Sequence, residues 1–87
     1  MNEKKLILQG YLRNQIRLYR NTHAFSQENM AEFLHVSPRS YIDQEHGKYG
    51  FSALTLIYYV FLLTDEETLI FFRELKNLIG GRNKDVA

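Results

Sequence analysis

Residues 26–50 read SQENMAEFLHVSPRSYIDQEHGKYG, and this stretch decides the fold. It holds two short helical segments with their punctuation. Ser26 stands before QENMAEFL, whose Met30, Ala31 and Leu34 share one face. Ser37 stands before PRSYIDQE. A serine at either position can accept a free N–H of the first helical turn. Pro38 would occupy the first helical residue, where its missing N–H costs nothing. Gly47 closes the second segment at a left-handed position that glycine takes at little cost. Only His35 and Val36 separate Leu34 from the cap at Ser37, a connection as tight as the turn of a helix-turn-helix.

The flanking sequence continues the helical pattern. Leu8, Leu12, Ile16 and Tyr19 recur at helical spacing and predict a first helix over about 3–22. The two central helices fall at about 27–34 and 38–46. Ser52 caps a fourth, about 53–63. Thr64 and Glu67 form a capping box before a fifth, about 65–79, which carries its acids at the positive helix end. Gly80 and Gly81 stop that helix, and residues 81–87 read as a loose tail. One proline, five glycines and no strand pattern predict an all-α, five-helix single domain over 1–80, without internal repeats.

At 87 residues the chain has room for one core, and 45% hydrophobic residues with 14% aromatics can fill it. There is no cysteine, which excludes disulfides, thiol chemistry and cysteine-based zinc sites. The net charge of +1 does not announce a nucleic-acid partner. Residues 1–50 nevertheless carry seven Lys/Arg against five Asp/Glu, and residues 51–87 carry four against five. The N-terminal apolar run is too short for a signal peptide, and FSALTLIYYVFLL falls short of the roughly 18 residues a membrane span needs. A soluble cytoplasmic protein is the expectation. His23, His35 and His46 fall in three separate turns without a metal-ligand spacing. No nucleophile elbow, phosphate loop or paired carboxylates occur, so no enzyme, cofactor, metal or small-molecule substrate is expected.

Taken together, Arg20, SQENMAEFLHVS and EHGK resemble the helix-turn-helix domains of phage repressor and Cro type, the lambda repressor-like or XRE family. That family follows approximately Arg…Ser-Gln-x-x-Leu-Ala-x-x-x-Gly-Val-Ser…Glu-x-Gly-Lys, and the match covers about residues 12–63. The resemblance implies a DNA-binding transcriptional regulator of bacterial, phage or mobile-element origin, with residues 38–46 in the major groove. It implies base contacts from Pro38, Arg39, Ser40 and Asp43. It implies phosphate contacts from Gln27, Ser37, Lys48 and Arg17, and a structural ion pair between Arg20 and Glu45.

The chemistry of Arg39 suits O6 and N7 of guanine, whereas Asp43 can accept from cytosine N4, repel phosphates or simply pair with Arg39 at i, i+4. The sequence departs from the family where His35 and Ala24 replace glycines, so both turns are expected to differ locally. Gln44 stands where an apolar core residue is usual. Ile42 stands where an exposed one is usual. Either the third helix is slightly rotated, or Ile42 meets a thymine methyl or another protein.

Residues 53–63 are almost wholly apolar, and a helix apolar all round is covered all round. The Leu69, Phe72, Leu75, Ile79 stripe of the fifth helix is the expected cover. The surplus at Ile57, Tyr58, Phe61, Ile70, Phe71 and Leu78 predicts a homodimer interface, as a two-fold protein on a palindromic operator in double-stranded DNA would need. The alternative is a helix-turn-helix-fold interaction module, antitoxin-like or an adaptor, that does not read DNA. The low net charge, Asp43, Glu45 and Ile42 favour that alternative.

Overall fold

A computed structural model describes residues 3–80 as five helices, with no strand among them: α1 (Glu3–Thr22), α2 (Gln27–Phe33), α3 (Pro38–Glu45), α4 (Ala53–Leu62) and α5 (Asp65–Gly80). The expected all-α, five-helix architecture is observed. The predicted tail, 81–87, lies outside the described residues. Helix α5 is described as far as Gly80, and Gly81, the second of the two glycines expected to stop it, lies outside the described residues.

Side chains cap four of the helices as the sequence spacing predicts. Ser26 accepts from Asn29 N–H, and the Asn29 side chain returns a bond to Ser26 N–H, completing a capping box. Ser37 accepts from Ser40 N–H at 3.1 Å and Ser52 from Thr55 N–H at 3.1 Å. Thr64 and Glu67 exchange the reciprocal pair at the start of α5, at 2.9 and 3.1 Å.

The first three helices end in the same way. The residue after each C-cap is left-handed: Ala24 (φ 58°), His35 (φ 60°) and Gly47 (φ 84°). Each turn makes the two backbone bonds of a Schellman motif. Phe25 N–H reaches Arg20 O (2.9 Å), Val36 N–H reaches Ala31 O (3.0 Å) and Lys48 N–H reaches Asp43 O (2.8 Å). The expected local departure at Ala24 and His35 therefore does not occur. Both residues adopt the glycine conformation, and His35 stacks its ring on Tyr58 at 4.0 Å between centroids.

Inside, α1 packs on α3 and α5, and α2 packs on α3 and α4. The buried centre consists of Ile16, Met30, Ala31, Leu34, Tyr41, Phe51, Tyr59 and Phe71. Aromatic rings join its halves: Tyr59 meets Tyr19 and Phe71 edge-on, and Tyr11 stacks on Phe71. Each of these tyrosines finds an acceptor across the core. Tyr11 donates to Phe71 O, Tyr19 to Leu62 O and Tyr59 to Gln15 O.

Helix α5 lies in a different rotational phase from the one its sequence suggests. Phe71, expected at a dimer surface, is the core residue at 4% exposure, with Leu75 and Ile79 half-buried beside it. Leu69 and Phe72, expected to face α4, are exposed. Leu69, Ile70, Phe71 and Phe72 are consecutive apolar positions, so the run itself does not choose between Phe71 and Phe72, and the ring contacts of Tyr11 and Tyr59 with Phe71 set the phase.

Candidate nucleic-acid interface

Helix α3 has two unlike sides. Tyr41 and Glu45, one turn apart, are buried, whereas Pro38, Arg39 and Ser40 are exposed. A buried carboxylate needs donors, and three helices supply them. Arg20 of α1 donates from Nε to Glu45 Oε2 (2.7 Å) and from Nη2 to Oε1 (3.1 Å). Gln27 of α2 donates its amide to Oε1 (2.8 Å), and the Tyr41 hydroxyl donates to Oε2 (2.5 Å). Arg20 Nη1 also reaches Phe25 O (3.2 Å), which ties in the first Schellman turn. This hub fixes α3 against both α1 and α2.

The electrostatics follow from that geometry. Burial alone would push the Glu45 carboxyl up, but the bonds from Arg20, Tyr41 and Gln27 outweigh it and hold the group below its ordinary value. The bond to Glu45 raises Arg20 further. Burial first, then the neighbouring Glu45 carboxylate, pushes the Tyr41 phenol up, so it remains a protonated donor.

On the outer side, Arg39 is 83% exposed and its Nε lies 3.8 Å from Asp43 Oδ2, whose side chain is 18% exposed. That distance is an ion pair without a hydrogen bond, so the N–H fork of Arg39 keeps its donors. Ser37 gives its hydroxyl proton to Ser40 Oγ at 2.9 Å, which leaves the Ser40 hydroxyl proton free to turn outward. Ile42 is half-buried. Gln44 is half-buried as well, and its Oε1 is enclosed without a donor among the described residues.

The remaining predicted residues divide by environment. Lys48 and Arg17 are exposed; Lys48 Nζ stands 5.5 Å from the Tyr49 ring centre, and Arg17 bonds Asn14 at 2.9 Å. Gln27 is half-buried, with its amide nitrogen occupied by Glu45. Sequence reading assigned that amide outward and missed its inward partner, because three donors converging on one carboxylate is a property of the packed helices. Of the predicted dimer residues, Ile57, Phe61, Ile70 and Leu78 are exposed, Phe61 at 73%. Tyr58 is half-buried under His35, and Phe71 is in the core.

Among the described residues no cluster of His, Asp and Glu could hold a metal ion. No helix there is long and apolar enough to cross a membrane. No known protein family, curated protein sequence or solved structure matches this chain.

Proposed function

We propose that the chain is a sequence-specific DNA-binding regulator of the repressor or Cro type, with α2 and α3 forming a lambda repressor-like helix-turn-helix. The observation that carries this reading is the division of α3. Its inner side is locked to two other helices through Glu45, while Arg39 stands free on the outer side. A reading helix needs both: a rigid mount, and side chains that are not already spent on the protein.

In this mechanism α3 enters the major groove, and Arg39 sets its fork on guanine O6 and N7. Asp43 beside it restrains the guanidinium and repels phosphate from a misplaced register. Ser40 and Pro38 touch neighbouring bases by a hydroxyl and an apolar ring. Lys48 and Arg17 hold the backbone and set the docking angle. Two protomers joined through Ile57, Phe61, Ile70 and Leu78 would place two such helices about 34 Å apart, on a palindromic site. Regulation is then by occupancy of that site.

Selection from a random duplex library at low salt tests the reading. A palindromic site should emerge, and Arg39→Ala should relax it at one base pair per half-site, at a cost of about 1–3 kcal/mol. No enrichment at low salt would sink it. The interaction-module reading keeps one specific support: the exposed stripe Leu54, Ile57, Phe61 on α4 is a protein-binding surface by composition. Light scattering separates the dimer from that case, since a clean 10.3 kDa species excludes self-association through this stripe.

A further inference from the structure

Arg13, Arg17 and Arg20 recur at i, i+4 and i+7, so the three guanidinium stems share one face of α1, the helix that packs on α3. Glu45 neutralises Arg20. Arg13 is different: it is half-buried, yet among the described residues it has neither a carboxylate nor a hydrogen-bond partner. Its guanidinium lies across the Gly47 turn. A Cβ on Gly47 would stand 3.3 Å from Nη1 and 3.4 Å from Cζ, and a Cβ on Gly10 would stand 3.7 Å from Nη2. Two glycines therefore make the slot in which the fork rests.

The turn beneath it is held firmly. Gln9, one helical turn before Arg13, accepts from Phe51 N–H (3.0 Å) and donates to Phe51 O (3.5 Å). Gly47 and Lys48 spend their N–H groups on the Schellman bonds, while those of Tyr49 and Gly50 have no partner among the described residues. The turn also carries Lys48, and the acid one turn back, Asp43, is engaged with Arg39. A planar cationic fork, partly out of water and with its donors unspent, thus lies against the Gly47 turn, whose next residue is the cation Lys48. That is the chemistry that recognises a phosphate.

We propose that Arg13 is a DNA-backbone contact that clamps, together with Lys48, the phosphate flanking the bases met by α3. This inference rests on the DNA-binding reading above, because α3 itself leads into the turn that Arg13 covers. Arg13 is a positioning residue here, and it contributes affinity without sequence preference.

The test is a salt titration of the selected duplex with wild type, Arg13→Gln and Arg13→Lys, each first shown to be folded by its thermal transition. Loss of one phosphate contact lowers the salt slope by about 0.9 per protomer, so the wild-type advantage over Arg13→Gln should shrink about 3.5-fold per bound protomer, or about 12-fold for a two-protomer complex, between 50 and 200 mM salt. Arg13→Lys should keep the wild-type slope. Arg13→Met, which retains an apolar stem over Gly47, replaces the glutamine variant if that one is unfolded. An unchanged slope in the folded neutral variant overturns the clamp while leaving DNA binding intact, even if affinity drops by a constant factor. Failure of the wild type to bind any duplex overturns the DNA-binding reading, and the clamp with it.

Discussion

Replacing Glu45 by glutamine changes one atom's chemistry and almost no volume, and it strikes the hub that mounts α3. Four hydrogen bonds end on the two carboxylate oxygens: two from Arg20, one from Gln27 and one from Tyr41. In the variant one of those positions becomes an NH2 group. Tyr41 can turn its hydroxyl to accept, and Gln27 can rotate its amide. Arg20 has only donors, and it meets both oxygens, so the new NH2 faces an Arg20 N–H in either orientation.

Breaking a buried ion pair costs about 3–5 kcal/mol, and the 17% exposure of Arg20 lets some water in, which places this case near 3 kcal/mol. A chain of 87 residues has a total stability of about 4–13 kcal/mol, so the loss is a large share of it. Urea unfolding followed by helical circular dichroism at pH 7 measures it, and the double variant Arg20→Met/Glu45→Gln should recover about 2 kcal/mol of the sum of the single losses. The pH dependence gives a second reading. The folded Glu45 carboxyl lies below its ordinary value of 4.5, so its stabilisation is fully present above that pH and is lost as pH falls through the folded value. The gap between wild type and Glu45→Gln should hold from pH 7 to about 5 and close below it. A cost under about 1 kcal/mol at pH 7 would refute the argument, because it is the value of a solvated surface pair.

Four further outcomes follow from the turns and the flank of α3. Ala24→Gly should raise stability by about 0.5–1 kcal/mol, since a left-handed alanine costs about 1–2 kcal/mol and glycine returns part of that as unfolded-state entropy. His35→Gly should gain little in the same melting assay, because it also loses the stack on Tyr58, worth about 0.5–1.5 kcal/mol. Gly50→Ala would bring a Cβ within 2.8 Å of the Gln9 side chain, so it should release the latch on Phe51 and speed amide exchange there. Exchange at Phe51 unchanged from wild type would show that the latch is not made. Gln44→Leu removes an enclosed oxygen that lacks a donor and should stabilise the domain by about 1 kcal/mol in urea unfolding, with no stabilisation counting against that reading.

Where the sequence was legible, a local chemical rule was sufficient. Ser26, Ser37, Ser52 and the Thr64–Glu67 box each announce a helix start through bonds that span three residues, and all four are made. Met30, Ala31 and Leu34 announce the inner face of α2 because that helix has only one apolar side. The phase of α5 was not legible for the opposite reason. Residues 69–72 are four apolar positions in a row, and nothing in their order prefers Phe71 over Phe72. The ring contacts of Tyr11 and Tyr59 with Phe71, and the Tyr11 hydroxyl bond to Phe71 O, distinguish the two. Turn chemistry was misleading where it rested on residue type alone: Ala24 and His35 take the left-handed position because the Schellman bonds and the helices on either side require it.

The same distinction explains the candidate interface. The exposure of Arg39 is legible because it depends only on position, and the start of α3 leaves the side chain in solvent with Asp43 as its ion-pair partner. Gln27 is not, because its role depends on what has been brought to it. Its partner lies 18 residues on, and the bond exists because Glu45 is buried too deeply to be satisfied by Arg20 alone. A carboxylate with two oxygens accommodates about four donors, and the four observed fill it. Moving α3 relative to α1 or α2 therefore breaks a charge-assisted bond in a site that water reaches poorly, with each such bond worth roughly 1.5–3 kcal/mol. Glu45 thus adds charge-assisted bonds to the core packing of Tyr41 and ties a short helix of eight residues to both α1 and α2.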